Sequence, residues 1–91
     1  MLSDSNSDSN EEKFKPSHSI LKRILKVLCK DYVGKTRLSQ VANVHYTVLV
    51  EHLRWMESKR YVKFALNEDK IVVVLTESGR EFADRFLTLV D

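Results

Sequence analysis

Cysteine, proline and glycine are scarce in these 91 residues: one Cys, one Pro and two Gly. A single thiol, Cys29, cannot close an internal disulfide, and nothing else asks for an oxidising compartment. Cys29 lies in an apolar helical stretch and is expected as a buried structural thiol. No Gly-rich phosphate loop is present. No Ser/His/Asp set or pair of carboxylates in an apolar setting stands out, so no catalytic residue is assigned and no enzyme is expected. His18, His45 and His52 have no Cys or carboxylate at ligand spacing, so no metal, cofactor or small-molecule ligand is expected. The longest purely aliphatic run, Ile71 to Leu75, is far too short to cross a bilayer. The opening Met-Leu-Ser-Asp-Ser-Asn lacks the basic and apolar regions of a secretory signal. The expectation is a cytoplasmic protein with no membrane partner.

Charge is plentiful but unevenly placed. Lys and Arg number 15 against 13 Asp and Glu, a formal net charge of +2. Residues 1–12 hold Asp4, Asp8, Glu11 and Glu12 and no basic side chain. With those four of the 13 acids set aside, 9 face 15 bases, so the remainder carries +6. A basic body with an acidic tail suits a polyanion-binding domain, and it suits many ordinary soluble proteins too. Residues 1–16 read as a disordered acidic tail rich in Ser and Asn, and residues 17–91 as one small domain.

Within that domain the hydrophobic period changes once. Ser17 or Ser19 caps a first helix in which Ile20, Leu21, Ile24, Leu25 and Leu28 recur at helical spacing. Asp31 to Lys35 read as a loop. Thr36 caps a second short helix to Ala42, with Leu38, Val41 and Ala42 inward. Asn43 tolerates left-handed backbone and permits a sharp turn. A third helix runs from Tyr46 to Lys59, with Leu49, Leu53 and Met56 on one face and Thr47, Glu51, Arg54 and Ser58 opposite. Trp55 and Val48 share a flank, where packing on the hairpin or the first helix is expected. Tyr61 to Leu66 and Ile71 to Leu75 are β-rich runs around the polar tetrad 67–70, a hairpin signal pairing Leu66 with Ile71, Phe64 with Val73 and Val62 with Leu75. Thr76 caps a last helix with Phe82, Ala83, Phe86, Leu89 and Val90 on its apolar side.

This order predicts an α+β, mostly α fold: a helix-turn-helix followed by a two-stranded wing and a C-terminal helix. Anchoring the third helix by its apolar face leaves its outer face and N-terminus free to enter a major groove. The stretch from Thr36 to Glu57, TRLSQVANVHYTVLVEHLRWME, resembles the helix-turn-helix of winged-helix transcriptional regulators. Val-Leu-Thr-Glu-Ser-Gly-Arg-Glu-Phe at 74–82 is similar to the Leu-Thr-Glu-x-Gly that closes the wing in many of them. The small archaeal winged-helix regulators and chromatin-associated proteins are the relatives this resemblance suggests.

The resemblance implies a nucleoid-associated protein whose partner is double-stranded DNA. His45, Tyr46, Thr47, Val48, Val50, Glu51 and Arg54 would lie at the bases, Lys35 and Arg37 on phosphate, and Lys63 and Lys70 on the wing. The sequence also departs from the pattern. Lys59-Arg60 stands where such families usually place Gly, Glu51 brings a carboxylate among phosphates, and Glu68-Asp69 makes the wing tip acidic. A homodimer is expected, because helices one and four offer more apolar surface than about 75 residues readily bury alone. Three functions fit this scaffold: a sequence-specific regulator, an architectural chromatin protein with little sequence preference, and a winged helix used for protein contact.

Overall fold

In a computed structural model, residues 14–90 are described. The acidic tail expected for residues 1–16 therefore lies largely outside them. Four helices and one hairpin follow: α1 (His18–Lys30), α2 (Lys35–Ala42), α3 (Tyr46–Ser58), β1 (Val62–Asn67), β2 (Lys70–Leu75) and α4 (Glu77–Val90). This is the winged helix-turn-helix, in the predicted order.

The helices form because their apolar residues recur on one stripe and converge on one core. Leu21, Ile24, Leu25 and Leu28 of α1 are at most 2% exposed. They meet Leu38 and Ala42 of α2, Val44 of the turn, and Leu49, Leu53 and Met56 of α3. Val62, Val73 and Leu75 of the hairpin and Ala83 of α4 complete the cluster. Each stripe removes apolar area from water at about 25 cal/mol per Å², which holds such short helices in place. Ser17 caps α1 by accepting from the Ile20 N–H, as expected.

The helix-turn-helix is set by one left-handed residue. Asn43 has φ 58° and ψ 51°. Its own N–H reaches Gln40 O, and the next N–H, from Val44, donates to Ser39 O at 3.0 Å. That pair of bonds closes a helix end in which one residue must turn left-handed. The Ser39 hydroxyl donates to Val44 O and the Arg23 guanidinium to Asn43 O, so the turn is held from both sides.

The same closure ends α3. Arg60 N–H donates to Glu57 O and Tyr61 N–H to Met56 O, with Arg60 at φ 65°. Arg60 thus takes the conformation that glycine would adopt most cheaply. The hairpin then pairs in the expected register, Val62 with Leu75 through Leu66 with Ile71. Its loop is shorter than the predicted tetrad. Asn67 pairs with Lys70, and the turn is Glu68-Asp69 alone, with φ of 51° and 68°. Positive φ at both central residues matches the twist of the strands, so the ladder runs on to the last possible pair.

Other expectations need correction. α2 starts at Lys35 after Gly34, not after a Thr36 cap. Val33 forms a lone bridge with Val73, so the chain leaves extended backbone and enters the helix within two residues. Val41 is 54% exposed, since Leu38 and Ala42, one turn apart, fill the short helix's inner face. Cys29 is exposed at the rim of a shallow cleft between α1 and α4, because Leu25 and Leu28 take the inward places. In α4 the stripe is Phe82, Ala83, Phe86 and Leu87, which leaves Leu89 exposed; the Val90 side chain lies outside the described residues.

Candidate nucleic-acid interface

α3 is a two-sided element. Leu49, His52, Leu53 and Met56 are buried on its back. Thr47, Glu51 and Arg54, at i, i+4 and i+7, are exposed along its front. Exposed Tyr46 and half-buried Val50 share one flank, a turn apart. Half-buried Val48 lies on the other with Trp55. His45 precedes the helix and caps it: its Nδ1 accepts the Thr47 N–H at 3.3 Å, and its carbonyl accepts the Leu49 N–H. His45 is therefore both a predicted contact residue and the end-stop that fixes where α3 begins.

Exposed Arg37 sits in the first turn of α2. Half-buried Lys35, two residues earlier, places its Nζ 5.0 Å from the centre of the Phe64 ring, so this end of α2 abuts the wing. The two strand faces of the wing differ. Val62, Phe64 and Leu66 alternate with Lys63, Ala65 and Asn67, and Lys70 pairs with Asn67. Lys63 and Lys70 therefore stand on one face of the hairpin, about 13 Å apart at the usual rise per residue. The opposite face is apolar from root to tip.

Trp55 meets Tyr61 at 6.0 Å and Phe82 of α4 at 6.3 Å between ring centroids. Its ring partners are thus the hairpin root and the last helix. Tyr61 stacks on Phe82 at 4.2 Å and 9°, Phe82 on Phe86 at 5.4 Å, and His18 meets Phe86 edge-on. His52, the third histidine, is 4% exposed and bonded at both ring nitrogens, to Ser17 N–H and Val48 O. All three histidines have packing or hydrogen-bonding partners in the fold. Among the described residues no group of three His, Cys, Asp or Glu gathers, and no helix is long and apolar enough to cross a membrane.

Two features of the interface escaped the sequence reading. Arg60, exposed at the root of the wing, adds a cation whose position follows from its left-handed φ. Val41, exposed at the end of α2 across the turn from the predicted contact residue Tyr46, adds apolar surface there. The lone Val41 gave no usable signal, because an eight-residue helix offers too few positions to define a stripe.

No protein-family model matches the chain, and no curated protein matches it. Solved structures do. The crystal structure of Sso10a-2, a DNA-binding protein from Sulfolobus solfataricus, superposes with a TM-score of 0.71 at 20% identity, covering 84% of this chain and 79% of that one. A MarR-family transcriptional regulator from Silicibacter pomeroyi gives 0.67 at 26%, over 77% of this chain and 49% of the other. The adhesin competence repressor of Streptococcus pyogenes gives 0.70 at 16%, over 88% and 61%. The chain thus spans about half to three fifths of the length of the two regulators. What it shares with all three is the winged-helix fold.

Proposed function

We propose that this protein binds double-stranded DNA as a sequence-specific transcriptional regulator, with α3 in the major groove and the hairpin as wing. The observation that carries the reading is the asymmetry of α3. Four buried side chains fix its back, while Thr47, Glu51 and Arg54 stand bare on its front. A helix so held fits the width of a major groove. The similarity to a DNA-binding protein and to two transcriptional regulators supports the same assignment.

In this reading Arg37, Lys35, Lys63 and Lys70 position the domain on phosphates and supply salt-dependent affinity. His45, Tyr46, Thr47, Val50, Glu51 and Arg54 meet base edges; Glu51 accepts from a cytosine N4, and Arg54 donates to a guanine. The chain acts as a homodimer in the cytoplasm, associated with the nucleoid. Its second copy covers the half-buried aromatic row Phe86–Phe82–Tyr61 and the exposed His18 at its end.

Titration of a labelled duplex of about 30 base pairs at several salt concentrations tests this, beside an Arg37→Ala, Arg54→Ala chain. The expected result is binding that weakens steeply with salt, and by a further tenfold or so in the double variant. Near-equal affinity for unrelated duplexes would make the protein architectural. A chain that binds no duplex even at low salt would overturn the reading. The exposed Leu66, Ile71, Glu68 and Asp69 of the wing tip would then point to a protein partner.

A further inference from the structure

The backbone leading into α1 is fastened to the recognition helix. Ser17 N–H donates to His52 Nε2 at 3.0 Å, and the Phe14 ring meets the His52 ring edge-on at 5.1 Å. Because Ser17 supplies the proton of its bond, Nε2 accepts and the ring N–H at Nδ1 donates to Val48 O, 2.8 Å away. His52 is on the back of α3, one helical step from Glu51 and two from Arg54. The anchor therefore stands about one helix diameter, 10–12 Å, from the outer face.

The residues ahead of this anchor are the most acidic stretch of the chain. Residues 1–12 carry four carboxylates and no base, against the +6 of the remainder. Twelve residues reach at most about 40 Å, well beyond the distance needed. A charged segment tethered so close acts at an effective concentration on the order of millimolar.

We propose that residues 1–12 compete with DNA phosphates for the exposed cations of the candidate interface, Arg37 and Arg54 first among them, so that the chain carries its own electrostatic brake. The proposal rests on the DNA reading above and adds regulation of the same face. It draws on charge complementarity, on the length of the segment, and on an anchor that fixes where the segment starts.

The test uses the full-length chain with Asp4→Asn, Asp8→Asn, Glu11→Gln and Glu12→Gln, beside the unchanged chain, on one duplex. A control chain with Glu77→Gln, Glu81→Gln and Asp84→Asn on α4 reports the effect of net charge alone. At about 50 mM salt the tail variant is expected to bind roughly three- to tenfold tighter, with the gap closing by about 300 mM. In the DNA-free protein, the amide resonances around Arg54 and Arg37 are expected to shift between the tail variant and the unchanged chain. Equal affinity at low salt overturns the proposal, as does a control that gains as much per charge removed. Unmoved resonances on the α3 face overturn it too. If neither chain binds DNA at low salt, the DNA reading itself fails.

Discussion

The root and the tip of the wing are built to opposite standards. At the root, Val62, Val73 and Leu75 are buried, and Val73 N–H donates to Val33 O at 2.7 Å. Tyr61 O accepts from Thr76 N–H, and the Thr76 hydroxyl donates to Arg60 O while accepting from Gly79 N–H. At the tip, Leu66 is 70% and Ile71 54% exposed, and the turn bends through Glu68 and Asp69, neither of which takes positive φ as cheaply as glycine. The root fixes the wing's angle to α3, a geometric requirement that admits few residues. The tip has only to end the ribbon, so its chemistry is free to serve a partner or to drift.

Gly79→Ala should break the root most completely. A Cβ there would lie 1.9 Å from Tyr61 O and 2.8 Å from its carbonyl carbon, both backbone atoms that cannot swing aside. α4 or the hairpin root must shift, at a cost of about 3 kcal/mol or more. Denaturant unfolding measures it. A midpoint unchanged from the parent would mean that the root is as forgiving as the tip.

Within β2 the buried and the exposed positions should respond differently. Val73→Ala removes a side chain with no exposure and should destabilise by about 2 kcal/mol. Ile71→Ala, two residues away on the same face, should change stability by no more than about 0.5 kcal/mol. Equal losses would show that something in solution covers the tip. Thr76→Ala follows at about 1–2 kcal/mol, since it strips the cap of α4 and the bond to Arg60 O together. Thr76→Ser, which keeps the hydroxyl, should recover most of that loss.

These positions also explain what was legible in advance. The four helices, the hairpin register and the Thr76 cap could be read because each is a periodic or a capping signal. The Leu-Thr-Glu-x-Gly pattern marks Gly79 without its reason, which is the close approach of the Tyr61 carbonyl to the place a Cβ would fill, a long-range contact that no local signal carries. Asn43 announced its left-handed turn, and Lys59-Arg60 marked a helix end that lacks its usual glycine, whereas Glu68-Asp69 hid theirs, because strand pairing imposed the conformation. The candidate site was readable as a face of α3, since periodicity defines faces. That Lys35 lies over Phe64, that His45 caps the helix and that Val41 turns outward required the packing itself.

The smallest expected effect sharpens the contrast by improving the tip. A two-residue turn with φ positive at both positions is built most cheaply from Asn-Gly. Glu68→Asn with Asp69→Gly should therefore stabilise the chain by several tenths to about 1 kcal/mol, the relief of two left-handed residues less the added freedom of glycine in the unfolded chain. Thermal unfolding reads the gain. The exchange also removes both carboxylates from the tip, so DNA affinity at low salt becomes a second readout. A more stable chain that also binds duplex more tightly would mean that the acidic turn lies close enough to phosphate to repel it. A more stable chain with unchanged affinity would leave the tip outside the interface, with only Lys63 and the root beside the groove.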